Sequence, residues 1–326
     1  MTATLLPIIL TDHATVLVTE DIAARLDEHA RQALGALAPE TERALRKASA
    51  AFSSWAAAQG LPALPATPET LAVYVDALTG LGRKPASIRQ AVWAIGTLHR
   101  AAVLADPSKA EVVRLALKRM ARTLGTRQRQ AAPLGKTEIA RIFDTAGMTL
   151  AECRDVALLL TMRDMLARRS EVVALEVADL EFAADGTTTA LIRRSKTDQS
   201  GTGEVCWLGR QTVRELRRWL DAAAIAAGPI FRPVSRASVV GSTALDGSEV
   251  PRILKRLAER AGLEPSAISG HSARVGMTQD LVAGGADLPA VMQAGRWKSP
   301  TMPARYAERL LAGRGAVARL HERRGG

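Results

Sequence analysis

Residues 179–209 read DLEFAADGTTTALIRRSKTDQSGTGEVCWLG, and this stretch decides the fold class. Three short runs in it, 179–182, 188–195 and 204–209, are rich in β-branched and aromatic residues. AADGT and KTDQSGTG separate them, and the Asp, Gly and Ser residues of these segments suit turns. A small three-stranded antiparallel sheet is predicted. Outside it, apolar residues recur at helical spacing almost without interruption. Helices are predicted over 21–36, 41–59, 68–80, 85–103 and 108–124, then over 135–146 and 151–167. Beyond the sheet they resume at 210–226, 249–262, 271–284, 287–294 and about 303–311, with a terminal Ala- and Arg-rich helix near 313–323. Thr67 before Pro68 and Asp106 before Pro107 read as helix starts.

The totals agree with a mainly α protein. Of 326 residues 47% are hydrophobic but only 3% aromatic, so Ala and Leu, both good helix formers, supply most of the core. That length suits two domains. Residues 1–20 lack periodicity and read as a flexible tail, and 21–124 as an N-terminal helical domain. The polar, Gly/Pro-flanked 125–134 reads as a linker, and 135–326 as a second helical domain that carries the sheet. Lys and Arg number 44 against 33 acidic residues, a net charge of +11 that suits a polyanionic partner. No run approaches the ~18 apolar residues of a membrane span, and LLPIIL is too short for a signal segment. Cys153 and Cys206 sit among apolar residues and read as buried free thiols, which fits a reducing cytoplasm.

The charge is patterned. Arg114, Lys118 and Arg122 recur every four residues with Arg119 beside them, forming a basic stripe opposite Val112, Leu115 and Ala116. Arg127 and Arg129 continue it. A solvated helix face is the usual fate of such a run, and phosphate contact is its functional alternative. Four further features could carry chemistry. In GHSARVG, 270–276, His271 and Arg274 lie three apart where a helix begins, a place that favours an anion. In ARRSEVVAL, 167–175, Glu171 is spaced to hold Arg168 by charge-assisted bonds. Lys196 stands at the mouth of the predicted hairpin, and Trp297 in AGRWKSP offers one donor and an apolar face. Taken singly, each is more often a structural pair, a solvated lysine or a core aromatic.

Taken together, they form a pattern. Arg168 with Glu171, Lys196 on a β-turn, His271-x-x-Arg274, Trp297 and Tyr306 stand in the order and spacing of the tyrosine site-specific recombinases, the phage integrase family, which the chain resembles. SGHSARVG, then LPAVMQAGRW, then a tyrosine nine residues after the tryptophan carry the likeness. FSSWAAAQG (52–60) and SIRQAVWAIGTLHR (87–100) extend it over about 40–320.

The resemblance implies a C-shaped, two-domain DNA clamp with an N-terminal core-binding domain and a C-terminal catalytic domain. It implies Tyr306 as nucleophile, forming a 3′-phosphotyrosyl link, with Arg168 and Arg274 on the phosphate oxygens. His271 and Trp297 would be further donors, Lys196 the acid for the leaving 5′-oxygen, and Glu171 the orienting group. No cofactor, ATP or metal is expected. Ser87, Arg89 and Gln90 would enter the major groove, while Arg43, Arg46 and Lys47 are further DNA candidates. Lys118, Arg119, Arg122 and Arg127 would meet phosphate. The partner implied is a duplex with inverted repeats, bound by a tetramer on two duplexes through a Holliday junction, with a monomer expected when free. The terminal helix would touch a neighbouring protomer. A catalytically silent DNA-binding protein of this fold, or a type IB topoisomerase or telomere resolvase, are the alternatives. The complete motif set argues against the first and the recombinase-like N-terminal helices against the second. Two features depart from the pattern. Arg296 stands where related chains tend to carry glycine. Pro303 lies three residues before Tyr306, which suggests a helix beginning at Pro303 with the tyrosine one turn in.

Overall fold

The computed structural model describes residues 20–33, 35–127, 129–195, 198, 201–313 and 315–322. Residues 1–19 of the tail predicted over 1–20, and Lys196, lie outside them, while Glu20 begins the first helix. The chain divides into two compact units, residues 1–128 and 129–326.

In the first unit, helices α1 (Glu20–Gln32), α2 (Pro39–Ala58), α3 (Pro68–Gly80), α4 (Pro85–Ala101) and α5 (Glu111–Leu124) follow one another. Thr67 caps α3, its hydroxyl accepting from the Thr70 N–H at 3.1 Å, with Pro68 at the first position. Asp106 caps something shorter than expected, a single 3₁₀ turn at Pro107–Lys109, and α5 begins separately at Glu111. The apolar face of α5 also differs from the sequence reading. Val113, Ala116 and Met120 are buried, whereas Leu115 is 43% exposed. Phe52, Trp55 and Tyr74 meet ring to ring in this core, with Tyr74 centroids 5.0 and 4.8 Å from the other two.

His99 fastens this unit from within. It is buried, its Nε2 accepts the Ala66 N–H at 2.9 Å, and Nδ1 donates to the Ile95 carbonyl at 2.8 Å. Burial lowers its pKa, although these backbone contacts and Asp106 pull the other way. Because the folded value lies below that of the free side chain, the unfolded chain takes up the proton more readily. Stability from neutral His99 is therefore present above about pH 6.5 and lost as pH falls toward the folded value. Thermal melts between pH 7.5 and 5 should show a falling Tm, with a shallower slope in His99→Gln.

The second unit is organised around α7 (Leu150–Asp164), in which ten successive residues from Cys153 to Met162 are buried. A helix buried on every side lies inside a core. Around it pack α9 (Arg210–Ala222), α10 (Val250–Arg260) and α11 (Ser272–Ala283), and α6 (Lys136–Thr145) packs on α10 and α11. The buried charges on α7 are matched: Asp155 takes Arg154 and Arg256, each at 2.6 Å. Between α7 and α9 come α8 (Arg169–Val173) and strands β1 (Leu180–Phe182), β2 (Thr188–Ile192) and β3 (Glu204–Leu208), antiparallel in the order β1-β2-β3. Ala190 faces Cys206 and Thr188 faces Leu208, so one face of the sheet is buried, while Leu191, Val205 and Trp207 point to solvent. The chain then runs through α12 (Leu288–Gly295), α13 (Thr301–Tyr306), α14 (Glu308–Gly313) and α15 (Ala316–Glu322). No described helix is long and apolar enough to cross a membrane.

Residues 129–134, inside the stretch read as a linker, pack with this unit. Ala132 and Leu134 donate backbone bonds to Ala267 and Ser272, and Leu134 is fully buried.

Candidate active site

Helix α7 stops three residues short of the predicted end because Leu166 turns left-handed, at φ 43°. The Leu166 and Ala167 N–H groups bond back to the Arg163 and Met162 carbonyls, a closure usually made by glycine and therefore invisible as a stop signal. Arg168 is then extended and starts α8. Glu171, in the first turn of α8, accepts the Arg168 N–H on Oε2 at 2.9 Å and the Arg168 guanidinium on Oε1 at 2.5 Å. Its side chain is 1% exposed. Burial alone would raise the Glu171 carboxyl, but Arg296 and both Arg168 contacts outweigh it and hold the group below its ordinary value.

His271 is the cap of α11, and Arg274 is the third residue of that helix. His271 is exposed; Arg274 is buried and donates to the Leu166 and Gly295 carbonyls. Its guanidinium carbon lies 4.2 Å from the centre of the Trp297 ring. Burial, then the like charges of Arg168 and Arg296, push its pKa down to about 10, so it remains a cation at neutral pH. Trp297 in turn meets the Tyr306 ring edge-on, with centroids 5.9 Å apart and planes at 76°. Gly295 packs against the same indole. A Cβ there would come within 1.9 Å of it, so only glycine admits this tryptophan.

Tyr306 is the last residue of α13, and its main-chain carbonyl accepts from the side chains of Gln130 and Gln279 at 3.1 and 3.0 Å. Burial raises the pKa of its hydroxyl, and Arg274, Arg168 and Arg305 only partly oppose this, so the phenol is neutral in the free chain. Its position differs from the expectation drawn from Pro303. The helix begins at Thr301 with Pro303 as its third residue, where a missing N–H costs nothing. The tyrosine therefore ends one short helix, and α14 restarts at Glu308.

The structure brings Arg168, Glu171, Arg274, Trp297 and Tyr306 into one cluster, while His271 is exposed at the start of the helix that carries Arg274. Arg296, which the sequence marks only as a departure from the family pattern, reaches into the same cluster, and its pairing with Glu171 and Met165 carries no sequence signal. Cys206 is also less apolar in its surroundings than expected, since the Arg296 Nη1 lies 2.9 Å from its sulfur.

In the first unit, Ser87, Arg89 and Gln90 are exposed near the start of α4. Lys47, Lys118, Arg122 and Arg127 are exposed as well. Other members of the expected basic surface have acidic neighbours: Arg43 with Glu40 at 2.6 Å, Arg46 with Glu42 at 3.9 Å, Arg119 with Asp76 at 2.6 Å, and Arg114 with Glu111. Such exposed pairs are weak enough for a phosphate to displace.

Residues 133–311 match the model of the phage integrase family. The integrase/recombinase xerD homolog of Selenomonas ruminantium is 34% identical over 274 residues, 79% of this chain and 78% of that protein. Recombinase cre of Escherichia phage P1 is 26% identical over 305 residues, covering 88% of this chain and 89% of its own. Among solved structures, the XerH site-specific recombinase bound to palindromic difH substrate, a post-cleavage complex, superposes with a TM-score of 0.64 at 16% identity. The match covers 94% of this chain and 91% of that one.

Proposed function

From the premise that this chain belongs to the phage integrase family, the tyrosine recombinases of site-specific DNA recombination, we propose that it cleaves and rejoins strands through Tyr306. The observation that carries this reading is the contact chain from buried Arg274 through Trp297 to Tyr306. A fixed cation and a phenol thus contact the same indole.

The Tyr306 hydroxyl attacks the scissile phosphorus and gives up its proton, and the 5′-oxygen leaves and takes one up. A 3′-phosphotyrosyl bond has replaced the phosphodiester. The 5′-hydroxyl of another strand then displaces the tyrosine. One ester is exchanged for another at each step, so ATP need not supply energy. Charge gathers on the non-bridging oxygens, where the forks of Arg168 and Arg274 are suited to it. Both guanidiniums are held from behind, Arg168 by Glu171 and Arg274 by two carbonyls, so little reorganisation is needed as charge develops. His271 and the Trp297 indole N–H add donors. By the family pattern, Lys196 protonates the leaving oxygen. Because burial raises the Tyr306 pKa, the attacking phenol needs a proton acceptor or the field of the bound arginines.

Sequence reading falls to the first unit, with Arg89 and Gln90 suited to paired bonds to guanine and adenine. Lys118, Arg119 and Arg122 suit phosphates. Strand exchange between two duplexes requires four protomers and passes through a Holliday junction. The α15 helix leaves Val317 and Leu320 exposed, 71% and 50%, as a protomer contact would require.

The test is to incubate the protein with DNA flanking its gene that contains an inverted repeat, using a nicked substrate that traps the cleaved strand. A protein–DNA adduct stable in detergent is expected without ATP or metal. Its absence from every inverted repeat that the protein binds tightly would contradict the reading.

A further inference from the structure

The residue ahead of Trp297 is an arginine in left-handed backbone, at φ 56° and ψ 44°, where its N–H and that of Trp297 close α12 by bonding to Gln293 and Met292. That closing position favours glycine, and an arginine there is strained. Its side chain is nonetheless only 5% exposed. Nη2 donates to Glu171 Oε2 at 2.6 Å, and Nη1 to the Met165 carbonyl at 2.7 Å and the Cys206 sulfur at 2.9 Å. Nε lies 3.2 Å from a Glu204 carboxylate oxygen, without the alignment of a hydrogen bond. The guanidinium thus joins the end of α7, the first turn of α8 and strand β3.

We propose that Arg296 is a positioning residue for strand cleavage, fixing Glu171, and through it Arg168, against β3. This rests on the recombinase reading above. Three of its N–H groups go to Met165, Cys206 and Glu171, so its visible role is to hold these groups in place. Glu171 is held on both oxygens, Oε1 by Arg168 and Oε2 by Arg296 together with the Arg168 N–H. Without Arg296 the carboxylate loses one of its two cations and keeps only its two Arg168 contacts, so the Arg168 fork is held less firmly. The same guanidinium also anchors the start of β3, the strand that follows Lys196 in sequence. Lysine could pair with Glu171 but could not span all three elements at once.

The test compares single-turnover cleavage, DNA affinity and Tm in the full chain for Arg296→Gly, Arg296→Lys, Glu171→Gln and the Glu171→Gln/Arg296→Gly double variant. Glycine fits the left-handed backbone, so Arg296→Gly removes the side chain without adding strain. Its cleavage rate should fall about 10–100-fold, the effect of misplacing a catalytic group by around an ångström, with DNA affinity within roughly twofold of the parent. Arg296→Lys should fall between the two. In the Glu171→Gln background the glycine substitution should cost less than about twofold more, because the two residues act as one unit. Parent-like cleavage by Arg296→Gly overturns the proposal. So does a cleavage loss matched by lost affinity and Tm, which marks a folding residue, or a full-sized effect without Glu171. If the parent forms no adduct on a repeat that it binds, the recombinase reading falls, and this inference with it.

Discussion

Tyr306→Phe will bind a target duplex as tightly as the parent protein and form no covalent complex with it. The substitution removes one oxygen and little else. The ring keeps its edge-on contact with Trp297, and the main-chain carbonyl keeps the bonds from Gln130 and Gln279. Neighbouring Ala307, buried in a small cluster with Val282 and Val291, continues to pin the segment. Fold and DNA affinity should therefore survive while the nucleophile is lost. The expected loss of cleavage is roughly 10⁴-fold or more, the scale seen when a covalent nucleophile is deleted. Gel retardation beside detergent-stable adduct formation reads both quantities on one sample. An adduct that persists in the phenylalanine variant would remove Tyr306 from the mechanism.

A second large effect belongs to the scaffold. Gly276, one turn of α11 from Ser272, lies against the main chain of the segment that enters the second unit. A Cβ added there would stand 2.1 Å from the Leu134 oxygen and 2.6 Å from the Gly135 nitrogen. Those atoms cannot step aside as a flexible side chain could. Leu134 donates to Ser272 at 3.0 Å, and the Lys136 N–H donates to Asp280 at 2.9 Å, on either side of the close approach. Gly276→Ala must push α11 away from that segment or break these bonds. A cost of about 3 kcal/mol, at the upper end of ordinary overpacking, would lower Tm by about 6–12 °C in a unit of this size. Arg274 rides on the same helix, so cleavage should fall with stability. Gly313→Ala, whose Cβ meets nothing within 4 Å, should leave Tm nearly unchanged and serves as the control.

What could be read in advance depended on how local the physics was. The α3 start at Thr67-Pro68 and the turns at Asp185-Gly186 and Gly201 are decided by a few neighbouring residues, and their chemistry is visible in the sequence. The left-handed closures at Leu166, Val103 and Arg296 are not, because none carries the glycine that signals such a position. Tertiary packing imposes those conformations. The buried face of α5 departs from the sequence expectation for a related reason. Helical spacing alone admits both Leu115 and Val113 as core residues, and only the partners across the interface, α3 among them, decide between them. In the candidate site, the Arg168–Glu171 and His271–Arg274 pairs were legible as spacings on single helices. The Trp297–Arg274 stack and the Arg296–Glu171–Cys206 contacts join residues 23 to 125 positions apart in the chain, and no local pattern announces them.

The central claim is that Tyr306 itself takes the DNA. Digesting the trapped adduct with protease and nuclease, then sequencing the modified peptide by mass spectrometry, locates the bond. The account predicts one modified residue, Tyr306, carrying the 3′-phosphate of the cleaved strand, with a free 5′-hydroxyl on the other side of the break. A link to any other residue, or a 5′-phosphate held by the protein, would contradict it.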